Sequence, residues 1–457
     1  MVQLFGLTDL IATTSGAAAT GVDLDIVPLQ WRLLFLGVLY VGTLAISRFS
    51  IKVGIPAILG VLLLGLFINV NLLRITEFQA ESLQIIGLEL LLFYAGLKTE
   101  LQAIRGFLEY GLLLAVGGVL VASLILGGAI WWLASPAGDQ LLPGVSRAMP
   151  IGAAFLIAAA LGSTDAGATL SVLAQVRHRV PERLRHLLEF ESAVNDPAAL
   201  LIFSLLVGLF AITPEGNGSI ELTSTVMDGL KHFLQQISVG VVVGALFGYV
   251  AKFIIDHLLT AREQLLIVAV SIAFVTFGTT DLLGGSGFIA VYVTGVLMTN
   301  MTYRVPGVDH TSLQEVLLPF NTMTEITIFL IFGLLVTPAE LFPALPVGLA
   351  TAAVLMLVAR PVSVLIFQPL SPFNWREALL IGWCGLRGAV PLALSYNVVR
   401  RIPELRGIDP SLAGTLAANA QAVVFIVVVI NLLLQGLSLP WLARSLGLDP
   451  GETAPAG

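Results

Sequence analysis

The 457-residue sequence predicts an all-α integral membrane protein of about 13 transmembrane helices. Hydrophobic residues make up 57% of it and charged residues 11%, where a water-soluble chain carries about 25% charged residues. Mean hydropathy is +0.96. The apolar residues gather into runs of about 20, the length a helix needs to cross a bilayer. Those runs are rich in Leu, Val, Ala and Gly and lack the strict alternation of barrel strands. Aqueous enzymes and disordered chains are excluded on the same grounds. The net charge of −7, from 22 basic and 29 acidic residues, leaves no basic surface for nucleic acid. Cys384 is the single cysteine, so neither an internal disulfide nor a cysteine metal cluster is expected. The histidines His178, His186, His232, His257 and His310 fall between apolar runs or at their very ends, which argues against a histidine metal site inside the membrane.

The elements follow in chain order. Residues 1–26 contain no Lys or Arg, unlike the basic start of a signal peptide, so 1–27 is expected to be a short external tail. Residues 28–440 hold the spans. The first four are expected near 28–46, 53–72, 81–98 and 108–134, the third carrying Glu89. The fifth and sixth lie near 149–171 and 185–211, and the seventh near 233–258. The eighth and ninth, 263–281 and 284–301, are separated only by Asp281-Leu282-Leu283-Gly284-Gly285. Gly284-Gly285-Ser286-Gly287-Phe288 lacks the lysine of a phosphate loop and is read as a turn and helix start. The last four spans lie near 312–337, 346–369, 375–400 and 414–440, and residues 441–457 form a short cytoplasmic tail. No soluble regulatory domain is expected in this chain, so its function must sit among the helices, with the lipid bilayer as its surroundings.

Basic residues set the orientation. Thirteen of the 22 lie in loops after odd-numbered spans or at the C-terminus, and seven in loops after even-numbered spans or at the N-terminus. The bias predicts an external N-terminus and a cytoplasmic C-terminus in a multi-pass protein of the cell membrane. The basic run from Arg177-His178-Arg179 to Arg185-His186 is read as a solvated cytoplasmic loop. Thirteen spans divide into six, a linker and six more. A shift of seven spans inverts the second six, as in transporters built from inverted repeats. Span five then matches span twelve, and span six matches span thirteen.

A charge at the bilayer centre costs about 2.5–3.5 kcal/mol on insertion scales, so intramembrane charges carry the functional information. They are Glu89, Asp165, Glu191, Asp196, Glu325, Arg360 and Arg387. If each arginine takes one acid, three carboxylates remain. Such a surplus suits a site for cations or protons. Span six reads Glu191-Ser192-Ala193-Val194-Asn195-Asp196-Pro197. At about 100° per residue, Glu191, Ser192, Asn195 and Asp196 fall within an arc of about 140°. Pro197 cannot donate to the carbonyl of Ala193, which frees an oxygen beside them. Span five holds Gly162-Ser163-Thr164-Asp165-Ala166-Gly167, and span twelve holds Gly385-Leu386-Arg387-Gly388-Ala389-Val390-Pro391. Both compositions favour a broken helix, and non-helical backbone at that depth is tolerated only where it is buried or lines a cavity. Glu89 is read as either a ligand or a paired acid, Glu325 and Arg360 as a structural ion pair, and Cys384 as a packing residue.

With these residues in view, the chain resembles monovalent cation/proton antiporters of the sodium/proton exchanger superfamily, in their electroneutral bacterial branch. The matching stretches are Phe190-Glu191-Ser192-Ala193-Val194-Asn195-Asp196-Pro197, Ser163-Thr164-Asp165, Gly385 to Pro391, Gly285 to Gly295, and Phe332 to Pro338. The resemblance implies two broken, crossing helices, a mobile core domain centred on 149–211 and 375–440, a dimerisation domain from the remaining spans, and a homodimer. It implies that Asp196 binds cation and proton alternately and that Asn195 marks the electroneutral branch. Thr164 and Asp165 would complete the site, with Ser192 and Glu89 assisting, so the cation would sit against Asp196, Asp165, Thr164 and Ser192. Glu191 would pair with Arg387, and Glu325 with Arg360. No cofactor is expected, only the transported Na⁺ (or K⁺) and H⁺, in a role tied to pH homeostasis. The expected function is electroneutral one-for-one antiport around a midplane carboxylate. A cation channel or ion-coupled symporter is the first alternative. An intramembrane aspartyl hydrolase using Asp165 and Asp196 is a distant one.

Overall fold

The computed structural model describes residues 29–53, 55–67, 77–135, 149–174, 181–210, 222–336, 338–405, 408 and 410–448. The tail expected at 1–27, residues 449–457 of the other tail, and Arg177-His178-Arg179 lie outside the described residues. Every regular element described is helical: α1 Leu29–Val53, α2 Ala57–Phe67, α3 Glu77–Leu97, α4 Leu108–Leu133, α5 Ile151–Ala160, α6 Ala166–Ala174, α7 Glu182–Phe210, α8 Leu222–Leu258, α9 Gln264–Leu282, α10 Gly287–Asn300, α11 His310–Leu335, α12 Pro338–Leu365, α13 Trp375–Trp383, α14 Ala389–Arg401 and α15 Pro410–Ser445. Each predicted apolar stretch overlaps one of these helices or a pair of them, with bounds that differ by several residues.

Seven of them (α4, α7, α8, α9, α11, α12 and α15) are long and apolar enough to cross a bilayer unaided. Several of the others are short. Helix α2 has 11 residues and α10 has 14. The fifth and twelfth stretches are each split into two short helices. Helices α4 and α12 each contain a π-helical stretch, at Leu113–Gly118 and Leu355–Ala359. The chain is an integral, multi-pass membrane protein whose outward side chains are apolar, with Leu124, Val242 and Leu357 each more than 60% exposed.

Local chemistry sets several ends. Gly284 adopts φ 72° just after α9, a left-handed closure that costs glycine little. Ser286 then caps α10 by accepting from the Ile289 backbone N–H, so the Gly-rich stretch is the turn and helix start read from the sequence. Asp309 with Ser312, and Asn374 with Glu377, form capping boxes for α11 and α13, each satisfying two otherwise orphaned backbone donors.

Two hydrophobic clusters result. One joins α4 to α7 with α12 to α15 and takes in α2 and the end of α11. The other joins α3, α8, α9 and α10 with the start of α11. Glycines make the closest crossings. Gly96 of α3 and Gly295 of α10 face one another, and a Cβ added to Gly295 would lie 3.0 Å from the Leu97 nitrogen. Gly65 of α2 and Gly333 of α11 repeat the arrangement, with a Cβ on Gly333 2.8 Å from the Gly65 Cα.

Candidate functional site

The two helix breaks meet. The chain leaves α5 at Leu161 and enters α6 at Ala166; it leaves α13 at Cys384 and enters α14 at Ala389. The Asp165 backbone N–H donates to the Leu386 carbonyl across 2.7 Å. The side chains of Ser192 and Asn195 on α7 take up the backbone groups the first break exposes. Asn195 Oδ1 accepts from the Thr164 N–H at 3.2 Å, and its Nδ2 donates to Thr164 Oγ1 at 2.6 Å and Glu191 Oε1 at 3.1 Å. Ser192 Oγ accepts from the Ala166 N–H at 3.0 Å and donates to the Thr164 carbonyl at 2.6 Å. Asp165 Oδ1 accepts from the Ala168 N–H at 3.0 Å, at the electropositive start of α6.

The second break is held alike. Asn431 of α15 accepts from the Arg387 N–H at 2.8 Å and donates to the Gly385 carbonyl at 3.2 Å, with Gln435 accepting its other proton at 2.6 Å. Sequence reasoning missed this pair. Its signal was two amides inside an otherwise apolar run. Pro391 lies in the first turn of α14, where proline is tolerated, and the interruption precedes it. Helix α7 continues through Pro197.

The buried charges pair differently from expectation. Arg360 makes a bidentate ion pair with Glu191, Nη1 to Oε1 and Nη2 to Oε2 both at 2.8 Å, and both residues are at most 3% exposed. The expected Glu191–Arg387 and Glu325–Arg360 pairs are therefore not the ones formed. Arg387 Nη1 instead donates to the Gly162 carbonyl at 2.9 Å and to the Ser163 carbonyl. The reason is geometric: α5 ends at its break with unsatisfied carbonyls and the negative end of its dipole, and the second break delivers a guanidinium there.

A cavity of about 170 Å³ opens against this crossing. Asp196 and Ser192 line it from α7 and Asp165 and Thr164 from the first break, with Gly388 from the second. A Cβ on Gly388 would collide with the Asp165 carboxylate. The facing wall comes from α3, the turn after it, and α11: Tyr94, Lys98, Asn321 and Glu325. Of the residues expected to bind ions, Asp196, Asp165, Thr164 and Ser192 are thus together. Asn195 is spent on holding the break. Glu89 is not among the lining residues; it is 3% exposed, with Oε1 lacking a hydrogen-bond partner. Lys98, Glu189 and Asn321 line the cavity without having been singled out. Lys98 sits over the Tyr94 ring at 5.2 Å and is exposed at the rim. The cysteine expected to pack, Cys384, is buried and free.

A second cavity of about 270 Å³ lies further along the same helices. Residues up to Asp196 of α7 and Val390 of α14 line the first cavity, and residues from Leu200 and Leu394 onward line the second. About one helical turn separates the two.

The profile of the transmembrane sodium/hydrogen exchanger family matches residues 37–445. The chain belongs to this family. Relatives include the K⁺/H⁺ antiporter NhaP of Alkalimonas amylolytica, 31% identical over 93% of this chain and 68% of the relative. The K⁺/H⁺ antiporter NhaP2 of Shewanella oneidensis is 30% identical over 87% of this chain and 64% of the relative. The Na⁺/H⁺ antiporter NhaG of Bacillus atrophaeus is 28% identical over 83% of this chain and 66% of the relative. The chain thus spans about two thirds of these relatives' length. The structure of the sodium proton antiporter MjNhaP1 from Methanocaldococcus jannaschii at pH 8 has the same fold, with a TM-score of 0.76, 23% identity, and coverage of 93% of this chain and all of that one. The family is one of transporters, and exchange of Na⁺ or K⁺ for H⁺ is what its named members share.

Proposed function

We propose that this chain exchanges a monovalent cation, Na⁺ or K⁺, for H⁺ with one-for-one stoichiometry, by alternating access around Asp196 and Asp165. One observation carries the proposal. Both aspartates line one cavity at the helix crossing, while both buried arginines are engaged elsewhere, Arg360 on Glu191 and Arg387 on backbone carbonyls. A carboxylate removed from water disfavours its bare charged form, so a mobile cation or a proton must supply what no fixed guanidinium does. Loaded with either, the site is neutral enough to cross a hydrophobic barrier; empty, it is not. That difference couples the two fluxes. Asp196 is the shared seat, and Asp165, Thr164 and Ser192 offer further oxygens of the kind hard cations take.

The proposed moving body is the bundle around 149–211 and 375–440, widened by α4 and α12, which share its hydrophobic cluster. The remaining helices form the stationary, dimer-forming part of a homodimer. Inverted repeats within a thirteen-span topology account for paired features at matching places: π-stretches in α4 and α12, breaks in the fifth and twelfth stretches, amide clamps from Asn195 and Asn431, and glycine crossings at Gly96–Gly295 and Gly65–Gly333. With the orientation predicted from basic residues, in the cell membrane, the first cavity faces the cytoplasm and the second marks the closed external route.

Proton flux in proteoliposomes tests this. Flux is expected only when Na⁺ or K⁺ is present on the opposite side, with steady-state gradients indifferent to a clamped membrane potential. Asp196→Asn should abolish it. Exchange that persists in that variant would refute the assignment.

A further inference from the structure

The cavity wall opposite the aspartates has chemistry of its own. Glu325 and Asn321 stand four residues apart on α11, hence on one face and about 6 Å apart along the axis, and both line the cavity. The guanidinium expected to pair with Glu325 is committed to Glu191. Asn321 Oδ1 is buried with no hydrogen-bond partner. A carboxylate and an unclaimed amide oxygen on one turn, at a cavity with room for an ion and several waters, form an oxygen-ligand set for a hard monovalent cation.

We propose that Glu325 and Asn321 form a second, weaker cation station on the stationary wall, which receives the ion before it passes to Asp165 and Asp196. The inference rests on the exchange reading above. The wall is held by backbone-to-backbone glycine crossings, Gly96 on Gly295 and Gly333 on Gly65, so the station stays in place while the facing bundle moves. Lys98 lines the same cavity from the turn just after α3. Its fixed positive charge opposes an arriving cation and keeps occupancy weak, which a staging position requires, since an ion held tightly there would not move on.

The test is the initial rate of cation-driven proton flux in proteoliposomes, measured against Na⁺ or K⁺ concentration at fixed pH. Opposite shifts are expected from the two signs of charge. Glu325→Gln should raise the apparent KM about tenfold with the saturated rate changed less than about twofold, and Lys98→Met should lower KM about threefold, as partly screened charges a few ångströms from the ion would do. Asn321→Ala should raise KM in the same sense as Glu325→Gln, and it carries the test if the glutamate variant does not fold. Unchanged KM in the folded variants, shifts of the same sign from Glu325→Gln and Lys98→Met, or loss of flux at every cation concentration in folded Glu325→Gln would overturn the station. Absence of any cation-driven proton flux in the unmodified protein would instead sink the exchange reading itself.

Discussion

Glu191 and Arg360 bury an ion pair whose partners cannot be exchanged singly. Removing one side of such a pair strands a charge and costs about 3–5 kcal/mol. Arg360→Ala should therefore lower the thermal midpoint of the detergent-solubilised protein sharply, and Arg360→Leu combined with Glu191→Leu should recover much of the loss. Asn195 is the second case. All three of its hydrogen bonds serve the first break and Glu191. A carboxylate in place of this amide could still accept from the Thr164 N–H but would donate nothing and would face Glu191. Asn195→Asp is expected to cost stability by about 1–3 kcal/mol for each donor lost, read as a drop in thermal midpoint before any change in stoichiometry is considered. Gly388→Ala drives a methyl into the Asp165 carboxylate, so it should cut exchange severely even where the protein still folds.

At the scale of helices, the breaks and the crossings do different work. Each break ends one short helix and starts another, and the orphaned groups are met by side chains from α7, α15 and the opposite break. Arg387 is the strictest of these, because two carbonyls share one nitrogen of a planar guanidinium. A lysine ammonium has protons enough for both carbonyls, but its chain is one atom shorter and its head is more strongly hydrated, so Arg387→Lys should destabilise the fold while keeping the charge. The glycine crossings fix interhelical distance instead, as small residues do in membranes. A Cβ on Gly333 would meet backbone atoms of α2 that no rotamer change can move, so Gly333→Ala is expected to lower the thermal midpoint by several degrees. Gly414, with open space around it, should tolerate alanine.

For the whole molecule, the two cavities on one pair of helices describe a barrier about one turn thick, comprising Pro197 to Ala199 and Pro391 to Ala393. In the proposed motion, moving the bundle of α4 to α7 and α12 to α15 against α3, α10 and α11 would close the first cavity and open the second. Under the proposed competition of proton and cation for one carboxylate, and since a ligand must be deprotonated to bind metal, lowering pH on the cation side should raise the apparent cation KM by up to about tenfold per unit. The saturated rate should stay nearly constant. Flux measured over several pH values with Na⁺ and with K⁺ checks this and shows which ion the site prefers.

Hydropathy and composition alone determined that this chain is a helical membrane protein, where its apolar stretches lie, and that the fifth and twelfth are interrupted, because these are local properties: run length, glycine content, proline position. The same local logic put Ser192 and Asp196 on one arc of α7 and marked the breaks as non-helical backbone, while joining them to Asp165 and Thr164 in one site was what the family resemblance implied. Tertiary structure alone decided the partners. Glu191 had two candidate arginines, and which one reached it depended on how α12 packs behind α7, a distance of 169 positions along the chain. That choice left Glu325 free to face the cavity, turned Arg387 toward the end of α5, and made Asn195 a clamp. Charges are short in reach and indifferent to sequence separation, so only the packed helices could assign them.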